Sequence, residues 1–258
     1  MISFLHSFQS EWLKKKRSAA SWLMIGGSLF IPFIMLLVQF YNGDKLAAQS
    51  QSSQYWQMLF NKCWESMALL LLPMGIILST SLICQLEFKN NAWKQLHSTA
   101  QKFSTVFFAK FSIVLVMLLQ LFILFTIGIW LVGLIPNLIL GKPLPAANFP
   151  IMSFLKTSAM FYLDCLPIIA LQYLLSLHYK NFLVPVAVGL VLVVGSLVAL
   201  HWKFGYIVPY TYCAYSYLQL AERIPAGKNI NVHLLSLVYF SFFTLTGYIL
   251  YITKKEKG

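Results

Sequence analysis

Long apolar runs alternate with short polar interruptions along this chain. Six runs approach or exceed the ~20 residues a helix needs to cross a hydrocarbon core. They cover residues 22–41, 66–85, 107–134, 157–177, 183–200 and 234–252. In the first run, Gly26 and Gly27 allow close helix packing and Pro32 is a site for a kink. The third run is the longest, so it tilts or projects from the bilayer. The interruptions differ in character. Residues 42–65, with the Gln/Ser-rich stretch AAQSQSSQ, read as a flexible outer loop. Residues 135–153 carry Pro136, Pro143, Pro145 and Pro150 and read as an outer loop of turns. Residues 178–182 read as a tight cytoplasmic turn. Residues 201–233 are crowded with Tyr206, Tyr210, Tyr212, Tyr215 and Tyr217. Amphipathic rings favour the headgroup level, so this segment predicts short helices in or dipping into the outer interface.

Two polar stretches have a helical rather than a random pattern. Near the N-terminus, Phe4, Phe8 and Trp12 lie four apart and end at the basic run Lys14, Lys15, Lys16, Arg17. This predicts a short amphipathic helix in the cytoplasmic interface with a basic anchor. Between the second and third runs, Trp93, Leu96, Ala100, Phe103 and Phe107 recur at spacings of three and four. That places them on one face of a helix, with Lys89, Asn90, Lys94 and His97 among the polar residues of the remainder. Such a helix either simply joins two spans along the membrane surface or presents its basic face to a cytosolic partner. Lys110, opening the third run, is read as snorkelling to the headgroups.

Composition turns this pattern into a class. The chain is 59% hydrophobic and 10% charged, with a mean hydropathy of +0.73. Soluble domains carry roughly 25% charged residues, so this is an integral membrane protein. The net charge of +12 marks cytoplasmic edges and contacts with anionic lipid, not nucleic acid, because no soluble domain exists to carry a nucleic-acid surface. With the N-terminus inside, twelve of the nineteen basic residues fall on the cytoplasmic side, close to span ends. Both termini are then cytoplasmic. No cleavable signal peptide is expected.

Catalytic signals are weak. There is no GxxxxGK[ST] phosphate loop, HExxH or GxSxG motif, and no Cys/His spacing for a metal, so neither an enzyme nor a bound cofactor or metal is expected. The four cysteines form no framework, and a bridge between Cys63 and Cys213 is left open. Asp164 is the acidic residue set well inside a span, two turns from the outer end of the fourth run. A carboxylate in lipid is a functional candidate by default. The structural alternative is that it reaches the outer interface or accepts a hydrogen bond from a neighbouring helix.

This layout resembles the membrane permease subunits of type-2 ABC exporters. The resemblance covers the whole chain. It rests on FLHSFQSEWLKKKRS, on the six spans, on LEFKNNAWKQLHSTAQKFSTVFFAKF between spans two and three, and on GYIVPYTYCAYSYLQ before span six. Glu87, Lys94–Leu96 and Lys110 look like the family's coupling positions. Asn, Ala and Ser replace the Gly and Pro often found there. Size and layout are similar to permeases that include lantibiotic-immunity subunits. The resemblance implies an all-α fold of six transmembrane helices, with an N-terminal interfacial helix, a cytoplasmic coupling helix and short outer helices before span six. It implies a separate ATP-binding subunit that binds the ATP and docks on Glu87, Lys89, Asn90, Trp93, Lys94, Leu96 and His97. It also implies a second permease chain, identical or related, and the plasma membrane of a prokaryote. Two other readings stay open: a six-span scaffold that moves nothing, and a proton-coupled carrier using Asp164.

Overall fold

Lipid offers no partner for backbone N–H and C=O groups, and a helix satisfies them within one segment. The long apolar runs accordingly fold as helices. The computed structural model describes residues 2–89, 102–221, 223 and 231–253, with no strand among them. In chain order the helices are α1 (Ile2–Lys16), α2 (Ala19–Tyr41), α3 (Gly43–Ser50), α4 (Tyr55–Ser66), α5 (Leu72–Lys89), α6 (Phe103–Ile139), α7 (Ile151–His178), α8 (Leu183–Ala199), α9 (Tyr212–Leu220) and α10 (Val232–Thr253). Short 3₁₀ turns, Gly205–Ile207 and Pro209–Thr211, lead into α9.

Among the described residues, five helical stretches are long and apolar enough to cross a membrane: Ala19–Tyr41, Tyr55–Leu86, Phe103–Ile139, Ile151–His178 and Val232–Thr253. The fifth of the six expected spans, α8, is apolar but has 17 residues. At 37 residues α6 is about 55 Å long, well beyond the hydrocarbon thickness.

The expectation of a flexible loop over 42–65 is overturned. The stretch forms α3 and α4, and α4 buries Tyr55, Trp56, Leu59, Phe60, Cys63 and Trp64. A π-helical turn, Met67–Leu71, carries α4 into α5, with the Leu72 N–H reaching back to the Met67 carbonyl. Pro73 stands just beyond. Its ring would crowd the preceding turn of a regular helix and it has no N–H to donate, so the widened turn relieves the conflict.

The second outer loop is also shorter than expected. α6 continues through Pro136 to Ile139, and α7 begins at Ile151. What remains is tied to α3 and α4. The Ala146 N–H donates to the Ser50 carbonyl at 3.1 Å, Gln51 Nε2 donates to the Leu144 carbonyl at 3.0 Å, and Trp56 Nε1 donates to the Ala147 carbonyl at 2.8 Å.

α4 seats against α6 at Gly133, where a Cβ would lie 2.2 Å from Trp56 Cζ3. Gly133→Leu is expected to displace the Trp56 ring at a cost of about 1–3 kcal/mol, read as a lower unfolding midpoint in detergent. Deeper in the bundle, α5, α7 and α8 meet around the fully buried Gln172. Its Nε2 donates to Ser81 Oγ at 3.0 Å and to the Pro185 carbonyl at 2.8 Å. Ser81 and Ser176 share a further hydrogen bond at 3.1 Å. Without water in the bilayer, such polar groups bond between helices.

Candidate coupling end and buried polar cluster

The helix ends that charge assigns to the cytoplasmic side gather at one end of the molecule. Phe103, first residue of α6, meets the Tyr251 ring of the last turn of α10 at 6.3 Å. Phe107 lies 5.2 Å from Tyr173 near the end of α7, and the Tyr173 hydroxyl donates to the Phe107 carbonyl at 2.9 Å. α5 arrives here too, through the Ser81–Ser176 bond. Of the expected docking residues, Glu87 and Lys89 fall in the last turn of α5. Asn90, Trp93, Lys94, Leu96 and His97 lie outside the described residues. Of the expected apolar stripe, Phe103 and Phe107 are described, and Ala100 lies outside the described residues with Trp93 and Leu96. Lys102 is an extended N-cap at φ −67°, ψ 136°, so Phe103 and Phe107 open α6.

The N-terminal helix forms as its spacing requires, with Phe4, Phe8 and Trp12 stacked at centroid distances of 6.4 and 6.2 Å. Its packing differs from that of a helix resting on its apolar face. α1 lies against α6 and buries a polar stripe of Ser7, Glu11 and Lys15, continued by Ser18 beyond its end. Leu5, Trp12 and Leu13 stay exposed, while Phe4 and Phe8 are half-buried. Glu11 Oε2 lies 3.0 Å from Lys110 Nζ, and Glu11 Oε1 lies 2.5 Å from Lys14 Nζ. Lys15 Nζ donates to Gln120 Oε1 at 2.7 Å. Lys110 therefore does not snorkel: it is 1% exposed and faces a carboxylate. Lys15 is likewise no free interfacial anchor, whereas Lys14, Lys16 and Arg17 keep their exposure. Burial pushes the Glu11 carboxyl upward, but the Lys110 and Lys14 ammonium groups outweigh burial and hold it below its ordinary value. Burial pushes the Lys15 ammonium down. Ser18 ends this arrangement: its extended backbone breaks the chain between α1 and α2, and its hydroxyl oxygen caps the Ser21 N–H.

Asp164 sits near the middle of α7, thirteen residues after Ile151, so roughly 20 Å from the helix start and not two turns. It is fully buried. Its Oδ1 lies 2.8 Å from His233 Nδ1 on α10, and its Oδ2 accepts a hydrogen bond from Ser216 on α9. Beside them, Ser236 Oγ on α10 donates to the Leu163 carbonyl. The cluster therefore ties together three helices that are distant in sequence. His233 and Ser216 are residues that sequence reasoning missed: they lie 69 and 52 positions from Asp164, and no spacing rule reaches that far. Among the described residues, no group of three or more His, Cys, Asp or Glu side chains converges as a metal site.

Between α6 and α7 an apolar groove of about 820 Å³ opens toward the surroundings, lined by Leu119, Ile123, Trp130, Leu155 and Tyr162 among others. The Ser158 hydroxyl on its wall has no hydrogen-bond partner among the described residues.

The family model of the ABC-2 family transporter proteins matches residues 7–196, from within α1 to the last turn of α8. The chain belongs to this family. No individual curated protein and no solved structure matches it. Family and apolar helices together make it a multi-pass integral membrane protein and a permease component. Within the ABC-2 match lie most of the N-terminal helix, the α5–α6 pair with its connecting segment, and Asp164. Beyond it lie Ser216 and His233, so the partners of Asp164 come from the part of the chain the family model does not cover.

Proposed function

We propose that this chain is the membrane-spanning permease subunit of an ATP-driven exporter. The observation that carries the reading is the ABC-2 family match, which includes the segment between α5 and α6. ATP is bound and hydrolysed by a separate subunit, because the chain has no phosphate-binding loop of its own. That subunit docks on the stretch from Glu87 to His97, which begins in the last turn of α5 and leads toward α6. Closure of two such subunits on ATP moves the α5–α6 pair. α1, locked to α6 through Glu11 and Lys110, moves with it and passes the displacement to α2. Two permease chains, identical or related, enclose the path. α8 serves as a short sixth span, at the lower limit of helix lengths that cross a bilayer. Six spans keep both termini in the cytoplasm, in agreement with the basic residues at the span ends. The membrane is the plasma membrane of a prokaryote. The apolar groove between α6 and α7 suits an amphipathic substrate.

The test is the double variant Trp93→Asp, Leu96→Asp. Placing two carboxylates on the docking stripe is expected to cut the ATPase that co-purifies through a tag on this chain at least about tenfold, or ~1.4 kcal/mol of binding. Membrane insertion should be unchanged. Undiminished co-purification and transport in the double variant would remove the docking assignment.

A second reading rests on the pairing of the buried Asp164 with the partly exposed His233, which supplies two ionisable groups in one cluster. A proton-coupled carrier would need no ATPase and would lose activity in Asp164→Asn. An exporter keeps its dependence on the ATP-binding subunit in that variant.

A further inference from the structure

We infer that Cys165 and Cys213 form a disulfide that fastens α9 to α7 beside the Asp164 cluster. The two sulfurs lie 3.2 Å apart, although the residues are 48 positions apart in the chain. Both side chains are fully buried. Cys63 and Cys84 are buried elsewhere, so the Cys63–Cys213 bridge left open by the sequence is replaced by a different pairing. The same two helices are joined again one residue earlier on α7 and one turn later on α9, where Ser216 donates to Asp164. Bringing the sulfurs together therefore needs no new approach of the helices. The polar contact and the packing already hold them in place.

The chemistry is a two-electron oxidation. Two thiols lose two protons and two electrons, and one S–S bond forms. In the cell the acceptor is a protein disulfide of the oxidising face of the membrane, which becomes a dithiol by exchange through a mixed disulfide. Complete burial places this step before α9 has closed on α7. After closure, the same burial shields the bond from reductants. A 48-residue separation makes it a long-range staple, which confines the 3₁₀ turns and α9 relative to α7 in every state that keeps it.

The experiment uses the full chain carrying Cys63→Ser and Cys84→Ser, isolated without reductant, unfolded in detergent and reacted with a maleimide mass tag. The expected result is no tag before reduction and two tags after it. Two tags at isolation, before any reduction, overturn the inference, leaving two packed thiols. If the double serine variant does not insert, peptide mapping of the unreduced wild-type chain reads the same bond directly: a linked Cys165–Cys213 peptide supports it, and free thiols at both positions overturn it. Single Cys165→Ser or Cys213→Ser variants should take up three tags with or without reductant.

Discussion

Glu11→Gln is expected to lower the unfolding free energy by about 3–5 kcal/mol, the cost of breaking a buried ion pair from one side. The carboxylate of Glu11 lies between Lys110 at 3.0 Å and Lys14 at 2.5 Å. These two lysines are not equivalent. The Lys14 side chain is 37% exposed and can turn to water, whereas the Lys110 side chain is 2% exposed and cannot. Removing the negative charge leaves the Lys110 ammonium facing a neutral amide in a low-dielectric setting. Removing both charges, as in Glu11→Leu with Lys110→Leu, should recover most of the loss, because replacing a buried pair by apolar groups is often neutral. Unfolding curves of the purified chain in detergent, read by tryptophan fluorescence, give both values. A single-variant loss under about 1 kcal/mol would mean that the pair is hydrated in practice. The pair also has a pH signature. The folded-state value of the Glu11 carboxyl lies below its ordinary value of about 4.3. Its contribution is therefore fully present above that ordinary value and is lost as pH falls through the lower folded-state value. Glu11→Gln should flatten this acid limb of the stability curve.

The same helix shows where pattern reading works and where it stops. The four-residue spacing of Phe4, Phe8 and Trp12 announces a helix correctly, because spacing depends only on local geometry. Which face docks depends on what surrounds it. In water the apolar stripe would turn inward. Beside lipid, apolar side chains gain little by leaving it, and polar side chains gain hydrogen bonds by packing against protein. α1 accordingly buries Ser7, Glu11 and Lys15 and leaves Leu5 and Leu13 outside. Lys110 misleads for a related reason. A lysine at a span edge reads as snorkelling until its partner, about a hundred positions earlier, is known. Asp164 with His233, and Cys165 with Cys213, are non-local in the same way. The α-helical class and the apolar runs were legible because each is carried by a contiguous stretch. Residues 42–65 were misread for a different reason. Tyr55, Trp56, Leu59, Phe60, Cys63 and Trp64 do follow a helical period, but Gln57, Asn61, Lys62 and Glu65 between them lower the average hydropathy to that of a loop.

That misreading can be tested at Trp64. If the stretch were a flexible loop, Trp64→Ala would fall within the ±0.5 kcal/mol typical of surface changes. In the structure Trp64 is fully buried. Its ring stacks on Phe161 of α7 at 4.0 Å and 10°, and meets Phe125 of α6 edge-on at 5.1 Å and 87°. Phe122 and Phe60 close the other sides at 5.5 and 5.8 Å. Truncation to alanine removes the ring that three helices share and leaves a cavity, so the expected loss is about 3–5 kcal/mol. Trp64→Phe should cost much less, ~1–2 kcal/mol, because a phenyl ring keeps the stack on Phe161 while losing part of the volume. The indole N–H adds little to this difference, since it has no hydrogen-bond partner among the described residues. A wide gap between the two variants therefore reports ring packing rather than a polar contact. It would also identify α4 as the wedge that holds α6 and α7 together. The disulfide and the Asp164 cluster lie farther along α7, so they should survive in Trp64→Ala if the damage stays local. The thiol-tag assay on Trp64→Ala measures that directly: unchanged tagging means the wedge and the cluster are separate supports.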